Sequence, residues 1–318
     1  MFRIGIDLGG TKAAVGLVNE NHEIVSTLTC PTGGGKSADE ITGDIASLTL
    51  SLLKENRIDR KAISFLGLAA PGTVIPETGL AKYFCNLPFV NYPIGPKLAA
   101  LTGIDRVLLE NDANAAALGE AVAGCARDAR DSVMITIGTG IGGGVIINRR
   151  LFTGFFPGGA ELGHTVIVHG GRECGCGRRG CWEAYASVPA LIRTTKEIML
   201  SRPDSLLWKE CGGEIDRVNS FTPFKAVRNG DEAAKEALDL YIAHLADGLT
   251  NIVNIFQPEI LCLGGGLSGE PMILDPVREI VDRDQYTRNA DRKTRIVLAS
   301  LGNAAGIIGA ASLGLDSI

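Results

Sequence analysis

The sequence predicts an α/β protein built from two related halves. Apolar strands alternate with helical segments along the chain, and a β-hairpin plan near the start recurs about 130 residues later. Each copy, IGIDLGGTKAAVGLV and MITIGTGIGGGVIIN, has an apolar strand, a tight turn of Gly and Thr, and an apolar return strand. Any hairpin can carry a glycine-rich turn, so the prediction of a duplicated architecture depends on the recurrence.

The elements follow in chain order from apolar periodicity. FRIGIDL, AAVGLV and HEIVSTLTC are predicted as strands, and residues 37–56 as a helix with Ser37 as N-cap and Glu40 three residues later. AISFLGLAAPG is another strand, and RVLLEND is a strand that runs into the alanine-rich helix ANAAALGEAVAG. Beyond residue 183 the chain is mostly helical, with DEAAKEALDLYIAHLADGLTNIVNIF as a long packing helix. A buried strand, EILCLGGGLS, and a small-residue helix, NAAGIIGAASLGL, complete the prediction.

Composition and charge exclude several classes of function. The 318 residues are 45% hydrophobic and 21% charged, and the formal net charge is −5 without long runs of like charge. No apolar run approaches the roughly 18 to 20 residues of a membrane span, and the N-terminus resembles no export signal. Nothing matches the basic footprint of a nucleic-acid binder. We therefore expect a cytoplasmic enzyme with no membrane or nucleic-acid partner.

Three glycine-rich turns are candidates for a phosphate site, because glycine leaves backbone N–H groups open to an anion. DLGGTK, GTGIGGG and LGGG fit neither the P-loop nor the dinucleotide pattern, and together they predict a nucleotide held between two domains. Asp7 is expected to bind Mg²⁺, and its alternative role is that of a strand-end turn former. The remaining expected nucleotide contacts are Gly9, Gly10, Thr11, Lys12, Gly138, Thr139, Gly140, Gly265 and Gly266.

Two polar residues, Asn111 and Asp112, lie where the strand RVLLEND meets the following helix. A carboxylate at this position can be an N-cap and nothing more. Beside a phosphate site it can also be the general base that removes a proton from an attacking hydroxyl. Local sequence leaves both roles open for Asp112.

Three cysteines lie within eight positions of one another, behind a histidine. His164, Cys174, Cys176 and Cys181 make a complete tetrahedral zinc set with no open position, so the predicted site is structural. His169 is the competing imidazole, and Cys211 is a less favoured fourth thiolate. An iron–sulfur site and three unrelated thiols compete with the zinc interpretation. The scattered cysteines are expected to be reduced thiols, namely Cys30, Cys85, Cys125, Cys211 and Cys262.

These motifs together resemble the ROK family of sugar kinases and repressors. DLGGTK, ENDANAAALGE, TIGTGIGGGVI, GGAELGH, CGCGRRGCWEAYAS and LGGGLS occur in the family's order over nearly the whole chain. The resemblance implies an actin-like ATPase (ribonuclease H-like) fold, a nucleotide and sugar cleft between two domains, and a homodimer. The predicted domains are a small one at 1–118, with the C-terminal helix at about 303–318 packing back on it, and a large one at 119–302 containing the zinc loop.

The resemblance also implies a reaction, the ATP-dependent phosphorylation of glucose at its 6-hydroxyl with Asp112 as general base. Polyphosphate as donor is not excluded, and N-acetylmannosamine, N-acetylglucosamine, fructose and allose are alternative substrates. Phe89 and Val90 stand where the family often has a tryptophan, which bears on sugar choice. The family's repressors carry a DNA-binding domain ahead of the DLGGTK strand, which here begins at residue 2, so we expect an enzyme. The implied sugar ligands are Asn86, Asn111, Asp112, Glu161, His164 and Glu183.

Overall fold

The computed structural model describes residues 1–84, 86–156 and 158–315. The strands are β1 (Phe2–Leu8), β2 (Lys12–Val18), β3 (Ile24–Pro31), β4 (Ile63–Ala70), β5 (Gly72–Ile75), β6 (Leu80–Phe84), β7 (Val90–Tyr92), β8 (Val107–Asn111), β9 (Ser132–Ile137), β10 (Ile141–Ile147), β11 (Arg150–Phe152), β12 (Ile260–Gly264) and β13 (Arg295–Leu298). The helices are α1 (Ala38–Glu55), α2 (Ile94–Thr102), α3 (Asp112–Ala123), α4 (Glu183–Ala186), α5 (Val188–Ser201), α6 (Leu206–Glu210), α7 (Thr222–Arg228), α8 (Glu232–Phe256), α9 (Pro271–Asp284) and α10 (Ala304–Ala310).

Two five-stranded sheets have the same internal plan. Their strand orders are β3-β2-β1-β4-β8 and β11-β10-β9-β12-β13, so each reads third, second, first, fourth, fifth in its own numbering. In the first sheet β1 pairs antiparallel with β2 and parallel with β4, which in turn pairs parallel with β8. The matching orders confirm the duplicated architecture that the two hairpins predict. A third, small sheet has the order β5-β6-β7 and was not predicted from the sequence.

The described chain forms two compact units. Unit 1 comprises residues 1–134, 144–160 and the segment from residue 299 onward, and unit 2 comprises residues 135–143 and 161–298. Among the described residues, no helix combines the length and the apolar character that crossing a bilayer requires.

Helix α1 of unit 1 begins as its sequence predicts. The Ser37 side chain accepts a hydrogen bond from the Glu40 N–H, and the Glu40 carboxylate accepts one from the Ser37 N–H at 2.8 Å. This reciprocal pair satisfies two of the N–H groups that the first turn of a helix leaves unpaired. Ile41, Ile45 and Leu52 then bury one face of α1 in the core that β1, β2 and β4 form.

Helix α10 packs its backbone directly on the backbone of its neighbours in unit 1. A Cβ atom at Gly5 of β1 would lie 2.0 Å from the Ile307 carbonyl oxygen, and one at Gly309 would lie 1.7 Å from that of Ala115 in α3. Only glycine permits these approaches, so the predicted close packing of a small-residue helix is confirmed. The helix ends at Ala310, earlier than predicted, and turns follow at 311–314; residues 316–318 lie outside the described part.

Unit 2 is organised around helix α8. Its buried face includes Tyr241, Leu245 and Leu249, and Trp182 packs on Gly248, where a Cβ would lie 2.0 Å from the indole. The Trp182 Nε1–H donates to the His244 carbonyl at 2.9 Å. The interpretation of this segment as a packing helix is therefore confirmed.

Substituting alanine for Gly309 tests the packing of α10. Gly→Ala in a helix normally stabilises by about 0.5–1 kcal/mol, whereas here the methyl group meets backbone and should cost roughly 2 kcal/mol or more. The matched control is Gly43→Ala in α1, because no described neighbour lies within 4 Å of a Cβ there. Urea unfolding should show Gly309→Ala destabilised and Gly43→Ala unchanged or stabilised. A gain of stability in both variants would contradict the packing.

Candidate functional site

The DLGGTK turn of unit 1 exposes two backbone donors. Thr32 holds the turn, since its N–H donates to the Thr11 carbonyl at 3.0 Å and its hydroxyl donates to the Gly9 carbonyl at 2.8 Å. Gly10 and Thr11 are exposed, and their N–H groups donate to no acceptor in the described part of the chain. The turn therefore presents N–H groups to an anion, as a phosphate cradle requires. Sequence reasoning missed Thr32, because no local motif marks it.

Asp7 lies at the end of β1, beside the glycine at position 306 of α10. A Cβ atom at Gly306 would lie 2.9 to 3.2 Å from the Asp7 carboxyl group. Burial raises the pKa of Asp7, and the Lys12 cation acts in the opposite direction. No group among the described residues donates a hydrogen bond to this carboxylate, so it does not form the turn. A carboxylate in this environment suits a hard cation such as Mg²⁺.

Asn111 and Asp112 lie at the same end of the first sheet as Asp7, where the parallel strands β1, β4 and β8 have their carboxyl ends. Asp7 pairs with Ala69 of β4, and the next residue of β4, Ala70, pairs with Asn111 of β8. The N-cap of α3 is Asn111, whose side-chain oxygen accepts hydrogen bonds from the N–H groups of Ala113 and Asn114. Asp112 is the first helical residue and is exposed. The alternative that Asp112 is the N-cap of α3, which the sequence left open, is therefore wrong.

Glu110 supports this corner from the buried side and was not singled out from the sequence. Its Oε1 accepts hydrogen bonds from the Asn111 N–H at 2.9 Å and from the Asn114 side-chain amide at 3.0 Å. The residue is 6% exposed, and burial raises its pKa against the effect of these two bonds. A charged residue inside an otherwise apolar strand was the available signal.

Asn86 lies beside the DLGGTK turn. It is exposed in a left-handed backbone conformation with φ 61°, and a Cβ atom at Gly10 would lie 3.9 Å from its own Cβ. Phe89 is fully buried between Phe84 and Tyr92, with ring centroids 5.2 and 5.3 Å away, while Val90 is exposed. In this chain Phe89 therefore fills the core of the small sheet.

The cysteines and the histidine of unit 2 converge. One ligand atom from each of His164, Cys174, Cys176 and Cys181 lies within 4.8 Å of all the others, and this set is the Cys/His cluster. The His164 Nδ1 is 3.5 Å from the Cys174 Sγ, and the Cys176 and Cys181 Sγ atoms are 3.7 Å apart. Tetrahedral zinc with ordinary Zn–N and Zn–S bonds would separate such atoms by about 3.6 and 3.8 Å. The distances within the cluster thus fit zinc. The ring nitrogen of His164 that lies near Cys174 is Nδ1, so Nε2 is on the other side of the ring.

The fold of the loop decides between the two histidines. Val166 forms an isolated β-bridge with Cys181, and the Trp182 N–H donates to the Thr165 carbonyl at 2.8 Å. This pairing brings His164 to the cluster, while His169 is exposed and outside it. Cys211 is also outside the cluster, since its thiol donates to the Trp208 carbonyl.

The scattered cysteines do not share one state. Cys30 and Cys211 are free thiols, as expected. Reduced thiols were the wrong expectation for Cys125 and Cys262, which are disulfide-bonded. Cys85 lies outside the described residues.

Two glycine turns of unit 2 lie together. Gly265, with φ 98°, packs on the end of β9, where a Cβ atom would be 2.0 Å from the Ile137 carbonyl oxygen. That carbonyl directly precedes the 138–140 turn, in which the Gly138 N–H donates to the Gly140 carbonyl at 3.0 Å. Thr139 is exposed, and Gly266 has no described neighbour within 4 Å of a Cβ position. Both turns leave backbone open to a ligand.

The two predicted acidic ligands of unit 2 occupy different settings. Glu161 is exposed and its carbonyl accepts the His164 N–H at 3.1 Å, at the start of a 3₁₀ turn. Glu183 is half-buried at the start of α4, and its Oε2 accepts the Ile141 N–H at 2.9 Å. Its Oε1 lies 3.7 Å from the Cys174 Sγ. Glu183 therefore contacts both the Cys/His cluster and the 138–141 segment.

Known proteins share this architecture. A glucokinase of Thermotoga maritima is 38% identical over 314 residues, which cover 98% of this chain and 96% of that protein. A ROK hexokinase from Thermus thermophilus superposes with a TM-score of 0.84 at 32% identity, covering 98% of this chain and 97% of that one. A ROK family glucokinase from Streptomyces griseus, solved in complex with glucose and AMPPNP, gives a TM-score of 0.78 at 34% identity, covering 98% and 99%.

The two matching sheets, each with its glycine-turn hairpin, and these neighbours define an α/β protein with the actin-like ATPase fold. The sequence pattern of the ROK family matches residues 3–317, and the chain belongs to that family.

Two buried glutamates of unit 1 provide a test of the electrostatics near Asp112. Because the pKa of Glu110 is raised, the fold favours its neutral form, and its stabilising contribution is lost as pH rises through that pKa. We expect the free energy of unfolding of Glu110→Gln, relative to wild type, to increase from pH 5 to pH 8 in urea titrations.

The matched control is Glu120→Gln in α3. Glu120 is 1% exposed and accepts hydrogen bonds from Cys125 N–H, Leu301 N–H and both the N–H and the hydroxyl of Ser300. Replacing one acceptor oxygen by an amide group should cost about 1–3 kcal/mol. A Glu110→Gln variant whose relative stability does not change with pH would contradict the assigned environment.

Proposed function

We propose that the chain transfers the γ-phosphoryl group of ATP to the 6-hydroxyl of a hexose, with glucose as the preferred substrate. The observation that carries this proposal is the exposed carboxylate of Asp112 at the start of α3, at the sheet edge that also carries Asp7. The glucokinases among the relatives support glucose as the substrate.

Asp112 is the general base in this proposal. Its carboxylate removes the proton from the sugar 6-hydroxyl as the oxygen attacks phosphorus, a task that needs the ionised form. Asp112 is the first residue of α3, and the N-terminus of a helix favours a negatively charged side chain. The Asn111 side-chain oxygen caps α3, and one N–H of its amide group donates to the Gly72 carbonyl at 3.3 Å. These bonds fix the backbone from which Asp112 projects.

The donor contacts follow from the glycine turns. The exposed N–H groups of Gly10 and Thr11, together with Gly9 and Lys12, face the terminal phosphates, and Gly138, Thr139 and Gly140 form a second contact. Gly265 and Gly266 leave room for the adenosine. Asp7 holds Mg²⁺, which when bound neutralises charge on the phosphates.

The proposed sugar contacts are Asn86, Asn111, Asp112, Glu161, His164 and Glu183. Support for His164 comes from its ring orientation. The Nδ1 faces the Cys/His cluster, so the Nε2 is left for a sugar hydroxyl. Support for Glu183 comes from its Oε1, which retains acceptor capacity after Oε2 binds the Ile141 N–H.

Zinc at the Cys/His cluster is structural in this proposal. Four protein ligands close its coordination, so the ion supplies rigidity and no reactive position. We also assign the chain to the cytoplasm as a homodimer, without nucleic-acid or membrane partners. The family resemblance supports the homodimer, and the net charge of −5 favours the absence of nucleic acid.

The reaction can be tested by ADP release over a panel of sugars: glucose, fructose, allose, N-acetylglucosamine and N-acetylmannosamine. We expect glucose to give the highest kcat/KM, and Asp112→Asn to lower kcat by roughly 10²-fold or more with little change in glucose binding. Glu161→Gln is the matched carboxylate control and should act mainly on KM. No sugar-stimulated ADP release, or full turnover by Asp112→Asn, would contradict the proposal. Polyphosphate in place of ATP tests the donor.

Metal analysis tests the zinc assignment. Protein purified without chelators should contain about one zinc per chain. Cys176→Ala should lose it and unfold at lower temperature, and because Cys176 is exposed, lost packing does not explain the change. The control is Cys30→Ala, a free thiol in β3. Substantially less than one zinc per chain in wild type would remove the assignment.

A further inference from the structure

One carboxylate in unit 2 contacts two features that the proposed function treats separately. The Glu183 Oε2 accepts the Ile141 N–H at 2.9 Å, and the Oε1 lies 3.7 Å from the Cys174 Sγ of the Cys/His cluster. At Gly140, a Cβ atom would lie 2.3 Å from the same Oε2. Gly140 thus lacks a side chain where the carboxylate of Glu183 sits.

The 138–140 turn is held from one short segment of chain. Glu183 binds the Ile141 N–H at one end of the turn, and the Val188 N–H donates to the Gly138 carbonyl at 2.9 Å at the other end. Helix α4, at 183–186, separates these two anchors by only a few residues. A hydrogen bond from a backbone N–H to a carboxylate is charge-assisted and stronger than a neutral one. The position of α4 therefore determines the geometry of the turn.

The position of Glu183 is determined in turn by the cluster. Cys181 lies two residues before it and is fully buried. Trp182, between them, is also fully buried, and both its backbone N–H and its indole N–H are hydrogen-bonded. A ligand that fixes Cys174 and Cys181 therefore fixes the carboxylate that binds the turn.

We propose that Glu183 is a positioning residue for the phosphate donor, through which the Cys/His cluster sets the geometry of the 138–140 turn. This inference rests on the proposed function, because it assigns that turn to the phosphates. Its consequence is that nucleotide affinity depends on Glu183 and on the metal site even when no sugar is bound. A role in sugar binding alone would leave nucleotide affinity unchanged.

Binding of MgADP without sugar, measured by isothermal titration calorimetry, tests the proposal. Glu183→Ala should raise the Kd by about tenfold, the loss expected for one hydrogen bond to a charged group. Glu183→Gln keeps an acceptor for the Ile141 N–H and should raise the Kd less than about threefold. An unchanged Kd in Glu183→Ala, with only the KM for sugar altered, would overturn the inference.

Gly140→Ala provides a double-mutant cycle with a built-in control. The atoms nearest to a Cβ at Gly140 all belong to the Glu183 carboxylate, and the backbone there is not left-handed. Gly140→Ala should displace the carboxylate and weaken MgADP binding about as much as Glu183→Ala. In the Glu183→Ala background it should add less than about a twofold change. Equal weakening in both backgrounds would show that the methyl group acts on the nucleotide directly and would overturn the inference.

Two further measurements separate this inference from the proposed function. Gly175→Ala, in the cluster loop with no described neighbour within 4 Å, should leave the Kd unchanged. Removal of zinc with a chelator should weaken MgADP binding to wild type and not to Glu183→Ala. Before chelation the two proteins should contain the same amount of zinc. Weaker MgADP binding in both proteins after chelation would count against transmission through Glu183. If wild type neither binds MgADP nor phosphorylates sugar, the proposed function fails; if it does both and the cycle is additive, only the inference fails.

Discussion

Direct packing of backbone on backbone is the constraint on which unit 1 depends. Helix α10 meets β1, β4 and α3 with glycine at each close approach: Gly5, Gly67, Gly119 and Gly309 would each place a Cβ within 2.3 Å of a carbonyl oxygen. Asp7 lies next to the last residue of β1 on one side of this contact, and Asp112 begins α3 on the other. Because a side chain at any of these glycines would force the layers apart, the packing fixes where both carboxylates project.

The features predicted correctly from the sequence depend on residues that are close together in the chain. The two hairpins, the Ser37 cap and the convergence of the Cys/His cluster are of this kind, since a turn, a helix start and a loop each form from neighbouring residues. The supports of the site are not local. Thr32 contacts the 9–12 turn from the end of the neighbouring strand β3, and Glu120 contacts Ser300. No periodicity or spacing marks such pairs, and the short sheet β5-β6-β7 was missed because its strands lack a long apolar pattern.

The Cys/His cluster shows which ligands the spacing of residues in the sequence can predict and which it cannot. Counting residues left His164 and His169 as alternative ligands, because both precede the cysteines by a few positions. Only the pairing of Val166 with Cys181 separates them, since it brings His164 back beside Cys174 and leaves His169 in solvent. The same pairing delivers Glu183 to the second glycine turn. The Cys/His cluster and the carboxylate that binds the Ile141 N–H thus share one folded loop.

The contacts of α10 also bear on the order in which unit 1 can form during synthesis. Asp7 and Gly306 touch although they are on the order of 300 residues apart, and such contacts cannot form until both segments have left the ribosome. At ordinary translation rates, tens of seconds pass between the emergence of β4 and that of α10. During that interval the glycine faces of β1 and β4 have no partner layer. The face of the first sheet that packs on α10 therefore stays open until α10 has been synthesised, whereas α1, which packs in the core of the same sheet, is synthesised much earlier.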